Sequence, residues 1–181
     1  MILQDYIMRM IAQLVKVLAK ILFNKETGDF RAANNEIESA FKNITGMDYF
    51  MLSSLSDKDI ISLLNFSKDN ATAGVKCLVI AKLLKEKAEL PQDEKLLESD
   101  PGDEFIKSLS LYLEGINNIN TDDIELDIFI KDLDDMISQI NDDEIPNEIR
   151  IKILKYYQLL GRSEAAERES KKLKESGQFN S

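Results

Sequence analysis

The chain has 181 residues, a formal charge of −10 from 23 Lys and Arg against 33 Asp and Glu, and no His. The missing imidazole removes the commonest general base and a common metal ligand, and the single Cys excludes an internal disulfide, a Cys-cluster zinc site and a dithiol redox pair. Seven Gly and three Pro leave too few turns for a sandwich or a barrel, so the composition favours one all-α domain, residues 1–181, made of few and long elements.

Apolar residues at 3.6-residue spacing predict a first helix over residues 2–24. Leu3, Ile7, Met10 and Leu14 begin a stripe that continues through Val17 and Ile21, and Ile11, Val15, Leu18 and Leu22 widen it. The stripe fits core packing. Its width and heptad-like steps also fit a homodimer seam at Leu3, Ile7, Met10 and Leu14. Asp5, Arg9, Lys16 and Lys20 interrupt the run, which therefore reads as neither a membrane span nor a secretory signal, and the expected location is cytoplasmic.

A second helix follows Gly28 over residues 29–44 and stops before Gly46. Ser56 is placed to cap a short third, with Asp57 and Asp59 suited to its first turn. The stretch 70–89 is apolar nearly all round in its first part, which assigns it to the centre of a helical protein. Cys77 lies there and reads as a core residue, since no His is present to activate it. Residues 91–103 are acidic and contain Pro101-Gly102, so they read as a linker between two helical halves, with one helical turn at most near 94–97.

The next helix is expected over 103–116, ended by Gly115 and the Asn117 to Asn120 run. Thr121 then caps a helix to residue 140 that buries Leu126, Ile130, Leu133, Ile137 and Ile140 beneath an acidic outer face. Pro146 opens a helix reaching Leu160, and residues 163–175 form the last.

The charge is localised. Residues 91–149 hold 3 Lys against 18 acids, and residues 150–181 hold 8 Lys and Arg against 4 acids. An acidic block disfavours nucleic acid as a partner. It leaves three readings: a solvated face, an interaction surface, or a magnesium site. Asp122-Asp123-Ile124-Glu125 and Asp132-Leu133-Asp134-Asp135 resemble paired-acid motifs by which some all-helical enzymes hold magnesium between phosphates, although no matched motif follows on a facing helix. Several of the acids fall near a helix C-terminus, where the macrodipole disfavours them. Arg150, Lys152, Lys155, Lys171, Lys172 and Lys174 are the expected compensation.

Gly28, Phe30, Ala33, Ile37 and Ala40 stand in the register of the turn and second helix of a tetratricopeptide (TPR) repeat, which this segment resembles; Tyr157, Gly161, Ala166 and Leu173 make a second instance. Ile21, Asn24 and Thr45 depart from that pattern, and the two instances are far apart in the chain. The start Met1 to Ile11, the Gly28-Asp29-Phe30 turn and Leu52-Ser53-Ser54-Leu55-Ser56 together resemble, over the whole chain, an uncharacterised TPR-like family of anaerobic Gram-positive bacteria. The resemblance supplies no activity, cofactor or catalytic residue. It implies antiparallel helical hairpins, and because the first helix of each TPR pair lines the binding groove, it implies partner contacts at Ile151, Lys155 and Gln158. The expected function is a protein interaction or scaffold module, without catalysis or cofactor, for a protein or peptide partner. A homodimer through the first helix and a magnesium-dependent, phosphate-processing enzyme are the alternatives.

Overall fold

The structure, a computed structural model, describes residues 2–65, 70–91, 101–119, 126–142 and 145–176, without the side chains of Ile2, Leu3, Asn70 and Pro101. Its elements are all helical among these residues: α1 (Ile2–Glu26), α2 (Phe30–Ala40) with a π-helical turn (Phe41–Thr45), α3 (Tyr49–Ser54), α4 (Asp57–Asn65), α5 (Asn70–Ala88), α6 (Pro101–Asn118), α7 (Asp127–Gln139), α8 (Asn147–Leu159) and α9 (Ser163–Glu175).

Local chemistry sets several boundaries. Asp29 caps α2 by accepting from the Ala32 amide at 3.0 Å, and Asp48 caps α3 by accepting from Met51 at 2.8 Å. At α4 the cap is reciprocal, as expected for Ser56. Its hydroxyl accepts from the Asp59 amide at 3.1 Å, and the Asp59 carboxylate accepts from the Ser56 amide at 3.3 Å.

Two hairpins share one turn. After α1, Gly28 has φ +76°; its amide donates to Lys25 O at 3.1 Å and the Asp29 amide donates to Asn24 O at 2.8 Å. After α8, Gly161 has φ +67°, and the same two bonds recur from Gly161 to Gln158 O at 3.1 Å and from Arg162 to Tyr157 O at 2.9 Å. This is the Schellman pattern, which needs a left-handed residue where glycine avoids the Cβ clash. Five residues after each glycine a small side chain, Ala33 or Ala166, is buried.

The core is one continuous cluster from α1 to α8. Its centre is α5 against α6, which cross at Gly74 and Gly115. A Cβ on Gly115 would lie 2.7 Å from Leu78 and 2.9 Å from Gly74 O, so no side chain fits there without moving a helix. Gly115 therefore lies inside α6 and does not end it as the sequence suggested. Nor does Pro101-Gly102 stay in a linker, because Pro101 is the first residue of α6, where its missing N–H costs nothing. The remainder of the proposed linker and the Thr121 cap lie outside the described residues. Deep between α5 and α6, the Ser108 hydroxyl donates to Ala81 O at 2.8 Å.

The C-terminal end of α5 is charged, and it carries a closed ring of six alternating charges. Lys25 of α1 reaches Glu86 (2.6 Å) and Glu89 (3.0 Å); Lys82 joins Glu86 (2.9 Å) to Asp132 of α7 (2.6 Å); Lys85 joins Asp132 (3.3 Å) to Glu89 (2.7 Å). Lys82 and Glu86 are buried, and each charge in the ring has two opposite neighbours to repay its desolvation.

Candidate interaction surfaces

α1 carries two apolar stripes. The first, at Ile7, Met10, Leu14, Leu18 and Ile21, is buried in the chain's own core, with Leu14 only 1% exposed. Three of the four seam residues read from the sequence, Ile7, Met10 and Leu14, are thus already covered by α1's own neighbours; the side chain of Leu3 lies outside the described residues. The second stripe is Met8, Val15, Leu22 and Phe23, exposed by 48%, 51%, 51% and 64%, with the small exposed Ala12 and Ala19 between them. A step of seven residues turns a helix by only about 20° short of two full turns, so Met8, Val15 and Leu22 stay in line. The extra width of the sequence stripe is the signal that announces this face. Arg9, Lys16 and Lys20 flank it and are exposed; Lys20 reaches Glu36 of α2 at 3.6 Å.

On α8, Ile149, Ile153 and Tyr156 are buried. Of the expected partner contacts, Ile151 is half-buried and Lys155 and Gln158 are exposed, and their spacing puts all three on one face. Lys152 is not part of it. Its ammonium bonds Glu114 at 3.0 Å and the Ser110 hydroxyl at 3.0 Å, tying α8 to α6.

The acidic block is partly turned inward. Asp132 sits in the charge ring and accepts from the Tyr112 hydroxyl at 2.9 Å. Asp134 accepts two bonds from Arg162, at 2.6 and 2.8 Å, and one from Tyr156 at 2.7 Å. Burial pushes the Asp134 carboxyl up, but the bonds from Arg162 and Tyr156 outweigh it and hold the group below its ordinary value. Asp142 bonds Lys172 at 2.7 Å and Arg150 at 3.0 Å, which likewise hold its carboxyl down. Arg150 is buried, and its guanidinium also meets Glu169 of α9 at 2.9 Å.

Of the expected compensation, Arg150 and Lys172 meet Asp142 and Lys152 meets Glu114; Arg162, Lys82 and Lys85, which the sequence did not single out, meet Asp134 and Asp132. Lys171 instead faces Glu175 at 3.9 Å within α9. Asp127 and Asp135 are exposed. Asp122, Asp123, Glu125, Asp143 and Glu144 lie outside the described residues. Among the described residues no group of three or more His, Cys, Asp or Glu is placed to hold a metal ion.

Two other features bear on function, a cleft and a buried thiol. A polar cleft of about 620 Å³ opens between the loop after α3 and the first turns of α6 and α8, edged by Ser53, Ser56, Asp103, Lys107 and Glu148. Lys107 donates from its rim to Ser53 O at 2.9 Å, and burial lowers its pKa. Cys77 is buried in α5, where burial first and the charge of Glu114 second push its thiol up to about 12. Such a thiol is a packing group, in line with its place in the apolar helix.

Among the described residues no helix is long and apolar enough to cross a membrane. No curated protein and no solved structure matches the chain. A family model does, over residues 1–180: this all-helical chain belongs to DUF6483, a family of unknown function.

Proposed function

We propose that the chain is a protein interaction or scaffold module, without catalytic chemistry, built on TPR-like helical hairpins. The observation that carries this reading is the outer face of α1, where Met8, Val15, Leu22 and Phe23 stand half-exposed or more while the helix's other stripe fills the core. Scattered exposed apolar residues are ordinary, whereas a continuous stripe of them on a packed helix marks a contact surface. The shared turn at Gly28 and Gly161, with Ala33 and Ala166 in the same register behind it, supports the TPR-like part. Ile151, Lys155 and Gln158 on α8 are the second contact surface of this reading.

The test is the size of the chain in its own cell. Tagged at its own locus and released under low salt, it is expected to elute well above the monomer, and alanine at Ile151, Lys155 and Gln158 together is expected to shrink the complex if α8 takes part. Elution as a free monomer with no cross-linked partner would sink the reading.

A further inference from the structure

The charges around the outer stripe of α1 narrow what can cover it, given the interaction reading above. From Met8 to Leu22 the stripe runs for about four helical turns, and large residues alternate with Ala12 and Ala19, which let another helix approach closely. Arg9, Lys16 and Lys20 line one flank of this seam, all exposed. Asp5 and Glu26 stand at its two ends, also exposed.

We propose that the seam takes an amphipathic helix of a protein partner, with its own apolar stripe at three- and four-residue spacing and an acidic flank set against Arg9, Lys16 and Lys20. A second copy of the chain fits poorly. Antiparallel pairing about Val15 brings Asp5 beside Glu26 of the other copy and sets the two Lys16 ammonium groups on the same side of the axis; parallel pairing sets Glu26 against Glu26 and puts the two cationic flanks on opposite sides of the seam, where neither meets an acid of α1. A lipid surface fits poorly for a different reason. Asp5 and Glu26 lie in line with the apolar residues and would press against anionic headgroups. A partner helix no longer than the stripe avoids both acids and meets the three cations.

Two synthetic helical peptides of about four turns test this, alike in a Leu and Ala seam but carrying Glu or Lys along the flank, titrated against the full chain by fluorescence anisotropy. The Glu-flanked peptide is expected to bind about ten-fold tighter, Lys16→Glu with Lys20→Glu to reverse the preference, and Val15→Asp to abolish binding of both while leaving the thermal melt unchanged. Equal affinities, or no binding of the Glu-flanked peptide, overturn the proposal. A wild-type dimer by light scattering that Val15→Asp makes monomeric assigns the seam to a second copy and overturns it. Co-sedimentation with phosphatidylserine vesicles, lost in Val15→Asp, overturns it in favour of a membrane. A cellular complex that survives Val15→Asp but is lost when Ile151, Lys155 and Gln158 become alanine overturns the proposal alone and leaves the interaction reading standing.

Discussion

In the hairpin of α1 and α2, the residue eight positions after the glycine is Glu36, which is half-buried and reaches Lys20 at the surface at 3.6 Å. In the hairpin of α8 and α9, the same register holds Glu169, which is buried and bonded to the buried Arg150 at 2.9 Å. The turns before them share the same hydrogen bonds and the same left-handed glycine. What differs is what each hairpin buries. The first seats only apolar side chains, among them Ile7, Met10, Leu14, Ala33 and Ile37, whereas the second buries Ala166 and Leu173 and adds the pairing of Arg150, Glu169, Asp142 and Lys172. One turn geometry thus serves two kinds of packing, and the sensitivity of each hairpin to mutation follows from the kind it uses.

The largest effect should come from charging the apolar hairpin. Leu14→Asp removes a core side chain, which by itself costs about 2–5 kcal/mol, and leaves a carboxylate with no partner in an apolar site. The expected outcome is loss of the cooperative urea transition, since total stability is only about 5–15 kcal/mol for a domain. Val15→Asp, one residue on but half-exposed, should change the unfolding free energy by no more than about 0.5 kcal/mol. A folded Leu14→Asp variant would mean that the first stripe is not the one the core uses.

The ionic hairpin is next. Arg150→Met leaves Glu169 buried, and breaking such a pair costs about 3 kcal/mol; Lys172, 3.1 Å from the other carboxylate oxygen, keeps the loss from being larger. Adding Glu169→Leu should recover most of it, because two apolar residues can replace a buried pair with little penalty. Lys20→Met in the other hairpin should lower the same unfolding free energy by about a few tenths of a kcal/mol. Equal losses for Arg150→Met and Lys20→Met would erase the contrast.

What could be read from the chain was what local chemistry decides: the Gly28 and Gly161 turns, the Ser56 cap, the central place of α5, and α9 to the residue. What could not be read depends on neighbours distant in sequence. Gly115 looked like a helix end because glycine is a poor helix former, and only the approach of Gly74 explains it. α3 has six residues, too few for periodicity to show. The ring joining Lys25, Lys82, Lys85, Glu86, Glu89 and Asp132 draws on three helices, so no spacing along one of them reveals it. For the interaction face, the sequence identified the helix and the excess width of its stripe. Which half of that width the core takes was set by the packing of α2 and α5.

The smallest effect concerns Asp134, which ties α7 to Tyr156 and Arg162 at the turn of the ionic hairpin. Because its folded-state pKa lies below the ordinary 3.8, the unfolded chain binds the proton more readily in acid. The stabilisation is therefore present above that value and is lost as pH falls through the lower, folded one. The carboxylate is about one-third exposed, with side-chain relative accessibility of 35%, so screening limits the contribution to less than about 1 kcal/mol. Asp134→Asn should lower the urea midpoint at pH 7, and the deficit should shrink in acid, at a pH below the folded value where the wild-type group is protonated and resembles the amide. The same deficit at both pH values would mean that shape and hydrogen bonding, and not the charge facing Arg162, hold α7 to the hairpin.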